Sequence, residues 1–143
     1  MYVPSLALSM LALVVAQAPI AAQAYGPRVN YQLQCMGCHG ASGSGESGHV
    51  PSVRNSLVAF SMVPQGREFV LRVPGVAQSS LSDQQVAELL NWMVRNLSDV
   101  PLPQQFVDYT AAEVAGPRRQ PLTATIAARK KLLAELGSDL PTK

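Results

Sequence analysis

The segment Cys35-Met36-Gly37-Cys38-His39 places two thiols three positions apart and an imidazole directly after the second thiol. On one helical turn, residues at i and i+3 lie on the same side, so both sulfur atoms can reach one flat group. The adjacent imidazole can then approach the centre of that group from one face. The chain has no other cysteine, and a bridge between these two would close a loop too short to stabilise much. We therefore interpret the pair as a chemical site and not as a structural disulfide.

The Cys-x-x-Cys-His pattern is typical of covalent haem attachment. It predicts one haem c, with thioether bonds from Cys35 and Cys38 and with His39 as the proximal iron ligand. We expect the other ring nitrogen of His39 to donate a hydrogen bond to a nearby carbonyl, which would fix the ring orientation. Three alternatives are a zinc site, which needs four ligands, a redox dithiol beside a βαβ pattern, and inert cysteines paired by chance.

The net charge and its distribution along the chain indicate which class of partner the protein binds. The formal net charge is +2, which argues against nucleic acid as a partner. From Arg28 to Asp99 five basic residues balance five acidic ones, whereas the remainder of the chain carries six basic and four acidic residues. The positive surplus therefore lies in the C-terminal part, where it can steer an acidic partner protein.

The N-terminal sequence predicts export. Residues 1–24 carry no charged side chain, and the apolar run from Leu6 to Ala16 precedes Ala22-Gln23-Ala24, whose small residues suit a signal peptidase. We predict that residues 1–24 are a cleaved signal peptide and that the mature chain is periplasmic or otherwise exported. The alternative is a retained anchor; no later segment is apolar for long enough to form a transmembrane helix.

Helical periodicity without strand alternation predicts an all-α fold. Ser82 and Gln85 form a capping-box pattern, and an apolar face at helical spacing follows it, comprising Val86, Leu89, Leu90, Met93, Val94 and Leu97. Shorter helices are expected over residues 29–36, from 65 or 66 to 72, from Thr110 to near Gly116, and over 123–136. Residues 40–48 are rich in glycine and serine and predict a surface loop, and 51–60 predict at most one helical turn.

Residues 27–98 resemble a class I cytochrome c, through Tyr31 before the attachment motif, Gly40 and its loop, the segments 66–71 and 73–75, and the helix containing Trp92. The resemblance implies a small cytochrome c-like haem domain, residues 25–100, whose first and last helices cross beside the haem, so that Tyr31 meets the helix of Trp92. Residues 101–143 would then form a C-terminal helical extension.

The same resemblance implies a function in electron transfer. The chain would be a one-electron carrier and not an enzyme, with one redox protein as donor and another as acceptor. The extension, which a minimal carrier does not need, favours an acceptor subunit docked on a periplasmic dehydrogenase, a respiratory complex or a membrane oxidase.

The sequence departs from that family where the sixth iron ligand is usually found. Residues 73–80, just before the last helix, contain neither methionine nor histidine. Met62 is our predicted distal ligand, with Met93, Met36 and His49 as further candidates. An open sixth position would instead give a haem protein that binds or senses small ligands.

Arginine side chains are candidates for the haem propionates, because a guanidinium can meet a carboxylate through two hydrogen bonds. Arg67 is our predicted propionate contact, since it adjoins the apolar group Phe69-Val70-Leu71. Arg54 and Arg72 are alternatives.

Overall fold

The computed structural model describes residues 25–137, so the predicted signal peptide lies outside the described residues. Eight α-helices and one 3₁₀ helix follow one another in this range. They are α1 (Pro27–Gln34), α2 (Met36–His39), α3 (Arg54–Ser61), α4 (Pro64–Arg72), α5 (Pro74–Ala77), α6 (Asp83–Asn96), α7 (Ala111–Ala115), the 3₁₀ helix (Pro117–Arg119) and α8 (Thr125–Leu136). Between residues 25 and 137 there is no strand, only an isolated bridge between Glu46 and Val50. The all-α prediction is confirmed.

Local sequence signals explain where most helices begin. Proline occupies the first turn of α1, α4 and α5, where its missing N–H costs nothing. At the start of α6 the Ser82 hydroxyl accepts from the Gln85 N–H at 3.2 Å, and the Gln85 side chain accepts from the Ser82 N–H at 2.9 Å. The predicted capping box is therefore confirmed.

Three α-helices differ from the sequence-based expectation, and one of them, α5, is absent from it. The segment expected to hold one helical turn forms the eight-residue α3, and its burial of Leu57 and Phe60 stabilises a helix that local propensity alone does not. The helix expected over residues 29–36 ends at Gln34, because Cys35 leaves helical geometry at φ −124° and separates α1 from α2.

Helices α1 and α6 pack against each other, as the resemblance implies for the first and last helices of residues 25–100. The rings of Tyr31 on α1 and Trp92 on α6 lie 5.6 Å apart between centroids. The Tyr31 hydroxyl donates to the Gly40 carbonyl at 2.6 Å, which ties this contact to the end of the attachment motif. The whole predicted apolar face of α6, from Val86 to Leu97, is buried.

Residues 101–137 pack into the same core and do not form a separate one. Val114 is fully buried, and Leu132 and Tyr109 are nearly so. The Asn91 side chain pairs with the backbone of Tyr109, accepting from its N–H at 2.8 Å and donating to its carbonyl at 3.0 Å. The guanidinium of Arg118 donates to the Leu81 carbonyl at 2.8 Å. The expected extension thus contributes to the stability of the domain.

Tyr109 gives the fold a predicted alkaline sensitivity. Its hydroxyl is hydrogen-bonded to the Ser61 hydroxyl at 2.8 Å, and burial raises the pKa of Tyr109 to about 12 from its usual 10. A phenol that binds its proton more tightly when folded stabilises the protein below pH 10, and that contribution is lost as the pH rises from 10 to 12. The loss amounts to about 2 to 3 kcal/mol of unfolding free energy.

Urea unfolding at pH 8 and at pH 11 checks this expectation. Tyr109→Phe should lose less stability between the two pH values than the wild type does. The control is Tyr25→Phe, because the Tyr25 side chain is exposed. Equal losses in the wild type and in Tyr109→Phe would contradict the assignment.

Candidate haem site

A largely apolar cavity of about 390 Å³ opens beside the attachment motif. Its volume falls within the range of small-molecule and cofactor sites. Both cysteines, both histidines and side chains from α3, α4, α5, α6 and α8 line it. The apolar part of the lining includes Leu57, Phe60, Phe69, Val70, Val86, Leu89, Leu90 and Met93.

The backbone between α1 and α2 sets the positions of the two thiols. The Cys35 N–H donates to the Tyr31 carbonyl at 2.9 Å, and the Cys35 carbonyl accepts from the N–H groups of Cys38 and His39 at 3.2 and 2.9 Å. Cys35, Cys38 and His39 therefore line one cavity from a single turn. The structure brings together the three residues that the motif predicts.

His39 has the hydrogen bond expected of an axial ligand. Its Nδ1 lies 3.2 Å from the Pro51 carbonyl oxygen, so Nδ1 carries the proton and Nε2 keeps a free lone pair. Burial lowers the pKa of His39, more than the Pro51 carbonyl raises it, and so favours the neutral imidazole that binds metals. This hydrogen bond orients the ring, and the lowered pKa favours the neutral form that the predicted iron ligation needs.

The Pro51 carbonyl is positioned by a tight loop. Gly45 has φ +68°, and a Cβ on it would lie 2.8 Å from both the carbonyl carbon and the oxygen of Pro51. The Gly45 N–H donates to the His39 carbonyl at 2.9 Å. The glycine-rich loop is therefore the element that brings Pro51 behind the imidazole.

The free thiol of Cys35 is protonated at neutral pH. Burial, followed by the neighbouring Cys38, raises the pKa of Cys35 to about 11. Cys38 is exposed, whereas Cys35 is partly buried. Such a site suits covalent attachment of an apolar ring better than thiolate chemistry.

The structure does not bring the predicted distal ligand to the site. Met62 caps the C-terminus of α3, and its side chain is not among those lining the cavity, although Phe60 two residues earlier is. Met36 does not line it either. Met93 and His49 do. The geometry thus argues against Met62, because its side chain does not line the cavity.

The predicted propionate contact is also engaged elsewhere. Arg67 binds both carboxylate oxygens of Glu113, at 2.5 and 2.7 Å, and donates to the carbonyls of Ser61 and Val107. Its guanidinium lies 3.9 Å from the Tyr109 ring centroid, and the Glu113 hydrogen bonds raise the pKa of Arg67. The geometry therefore argues against Arg67 as a propionate contact. Arg67 instead joins α4 to the C-terminal part of the chain.

The two alternative arginines are likewise paired on the surface. Arg54 binds Asp99 and donates to the Leu97 carbonyl, and Arg72 binds Glu68 at 2.8 Å. Neither lines the cavity.

Sequence reasoning missed Thr125 and Arg129 of α8, which line the cavity although they lie far beyond Cys38 in the chain. Their separation of four residues, which places them on one helix face, was the available signal. That spacing does not reveal which element the face packs against.

Other site classes find less support. Across residues 25–137, no three side chains of His, Cys, Asp or Glu are grouped so that they could hold a metal ion, so zinc lacks its ligand set there. None of the helices in this range has the length and apolar character needed to cross a membrane.

The chain was compared with known proteins, and no family model matches it. A cytochrome c-552 of Thermus thermophilus is 30% identical over 131 residues, a match covering 78% of this chain and 87% of that protein. A second Thermus thermophilus cytochrome c-552 is 29% identical over 130 residues, covering 77% of this chain and 98% of that protein. Together with the attachment motif and the helical cavity, these relatives show that the chain belongs to the c-type cytochromes, electron carriers with covalently bound haem c.

Proposed function

We propose that this protein is an exported monohaem cytochrome of class I type, which passes single electrons between two redox proteins. Cys35 and Cys38 hold the haem through thioether bonds, and His39 is its proximal iron ligand. When bound, the haem iron supplies a one-electron couple. The observation that carries the proposal is the His39 Nδ1 hydrogen bond to Pro51 at 3.2 Å, beside two thiols that line the same apolar cavity.

The chain's own residues prepare the site for electron transfer. Apolar side chains of α4 and α6 exclude water, and an environment of low polarity disfavours the extra positive charge of the oxidised iron. Cys38 is exposed, which leaves one edge of the site accessible to a partner protein. The packing of α1 against α6, through Tyr31 and Trp92, supports the class I assignment.

Export is supported by the leader pattern of residues 1–24, and haem attachment through thioethers suits a protein that must keep its cofactor outside the cytoplasm. Docking on a periplasmic dehydrogenase, a respiratory complex or a membrane oxidase remains our proposal for the partner. Exposed cations of the C-terminal part, Arg119 and Lys130, are available to an acidic surface.

A second candidate is a haem protein whose iron binds small ligands. One observation favours it: Val73, Pro74, Gly75, Val76 and Ser79 line the cavity from the segment where a methionine ligand is expected. None of them offers a thioether or an imidazole. Of the methionines between residues 25 and 137, only Met93 lines the cavity.

Optical spectra of matured protein test both candidates. We expect a pyridine haemochrome of one covalent haem per chain, no free thiols, and reversible one-electron reduction. Met62→Leu should leave the spectrum and the midpoint potential unchanged, because Met62 does not line the cavity. Met93→Leu is the informative partner: loss of the near-infrared band of methionine–iron coordination would make Met93 the ligand.

The same experiment separates the outcomes. Colourless protein in which both thiols react would refute haem attachment and with it the proposed function. If Met62→Leu removes the methionine–iron band, our structural argument against Met62 is wrong. If wild-type spectra shift on adding cyanide or carbon monoxide and neither leucine variant changes them, the ligand-binding candidate is favoured over the carrier.

A further inference from the structure

Arg129 on α8 differs from the other arginines described above, because it lines the cavity. Its guanidinium carbon lies 5.7 Å from the centroid of the Phe60 ring, which also lines the cavity. Within residues 25–137, no carboxylate or carbonyl forms a hydrogen bond or an ion pair with it. It is half-buried, so it is not simply a solvated surface charge.

Most other arginines of the described residues form ion pairs within the protein. Each of five other guanidinium groups has a carboxylate partner on the protein. These pairs are Arg54–Asp99, Arg67–Glu113, Arg72–Glu68, Arg95–Asp108 and Arg118–Asp83. Arg28 and Arg119, which also have no carboxylate partner, are exposed, so Arg129 is the half-buried arginine left without an anionic partner among the described residues.

A half-buried, unpaired cation is unfavourable, and burial lowers the pKa of Arg129. The described residues that line the cavity include no Asp or Glu. Haem, in contrast, brings two propionate carboxylates, which themselves need cations or solvent when a protein encloses them. The Arg129 guanidinium therefore lacks an anion that a propionate can supply, and an enclosed propionate needs a cation that Arg129 can supply.

We infer that Arg129 forms an ion pair with a haem propionate, an inference that rests on the proposed function. The guanidinium offers a planar pair of donors that matches a carboxylate. Thr125 lines the cavity one turn earlier on the same face of α8 and adds a hydroxyl donor. The C-terminal segment thereby takes part in holding the cofactor and closes the cavity with the charge the haem requires.

The midpoint potential of the haem-loaded protein tests this pairing. Arg129→Gln and Arg129→Met both remove the charge, and methionine keeps the apolar stem against Phe60. Without the cation, the propionate charge stabilises the oxidised iron. The equilibrium constant for reduction should fall about tenfold, which for a one-electron couple is about 59 mV. Arg129→Lys, which keeps the charge, should have a midpoint potential close to that of the wild type.

The matched control is Lys130→Gln, which removes one positive charge from the adjacent, exposed position of α8. Its potential should stay close to that of the wild type, because water screens an exposed charge. Equal potentials of the neutral Arg129 variants and the control would overturn the pairing. If both neutral variants fail to hold haem while Arg129→Lys and the control mature normally, the charge is required and the pairing stands; failure of Arg129→Lys as well would overturn it.

Haemochrome quantification distinguishes a failure of the proposed function from a failure of the Arg129 ion pair. All potentials are compared at one covalent haem per chain. Absence of covalent haem in the wild type would refute the proposed function, whereas a normal wild type with unshifted Arg129 variants would refute only the ion pair.

Discussion

Replacing both thiols, as Cys35→Ala/Cys38→Ala, is expected to give a colourless chain that is largely unfolded at room temperature. The cavity of about 390 Å³ lies among the buried faces of α3, α4 and α6, so the haem completes the core of the protein. Left unfilled, a cavity of that size corresponds to about 9 kcal/mol at the usual cost per unit volume. This is an upper value because water can enter at the mouth, yet it is comparable to the whole stability of a small domain.

Far-UV circular dichroism and urea unfolding of the purified double variant measure the effect. The control is Gln32→Ala, which changes an exposed side chain of α1 outside the cavity while keeping both thiols; it should mature, hold haem and unfold like the wild type. A colourless double variant that keeps the helical signal and the unfolding midpoint of the haem-loaded wild type would show that the haem is not part of the core.

The sequence was sufficient for elements whose signals are local. The attachment motif, the capping box at Ser82 and the apolar face of α6 each depend on residues within a few positions of one another, and the structure shows all of them. The hydrogen bond from His39 to a carbonyl is predictable as a type; its partner, Pro51, follows only from the fold of the intervening loop.

The sequence was insufficient where chain positions far apart decide the geometry. The apolar neighbours of Arg67 predict a propionate contact, but Glu113, 46 positions later, binds two of its guanidinium nitrogens. Thr110 and Glu113 have the spacing of a capping box, at the start of the helix expected from Thr110 to near Gly116. The Glu113 backbone N–H does donate to the Thr110 hydroxyl, while its carboxylate goes to Arg67.

The distal iron ligand is a second case in which the local sequence was insufficient. The irregular sequence around Met62 predicts a distal ligand there, whereas α3 continues as far as Ser61 and Met62 does not line the cavity. Arg129 had no local signal for a propionate contact. Only the packing of α8 against α4, together with the contact of Arg129 with Phe60, brings it to the site.

Among substitutions that add a single methyl group, Gly66→Ala is expected to lower the free energy of unfolding the most. Gly66 is buried at the start of α4, where the helix passes directly over the end of α3. A Cβ at this position would overlap the carbonyl oxygen of Phe60 and would lie 2.7 Å from both its carbonyl carbon and its Cα. All three atoms belong to the backbone, so no side-chain rotation relieves the overlap, and α4 must move away from α3.

That movement would also disturb the haem cavity. Phe60 and Phe69 line the cavity from α3 and α4, and their rings meet edge to face with centroids 5.4 Å apart. Overpacking of a close helix contact costs about 3 kcal/mol when the backbone has to shift. We therefore expect a loss of about that size in unfolding free energy, together with a lower yield of haem-loaded protein.

Gly37→Ala provides the matched control, because Gly37 is also helical, does not line the cavity, and nothing lies within 4 Å of a Cβ built there. Its backbone already has helical geometry, so alanine should leave stability unchanged or raise it by about 0.5 to 1 kcal/mol. Urea unfolding of the two haem-loaded variants compares one added methyl group at two helical glycines. If Gly66→Ala came within about 1 kcal/mol of Gly37→Ala, the contact between α3 and α4 would not be as close as the structure has it, and the positions assigned to Phe60 and Phe69 beside the haem would have to be revised.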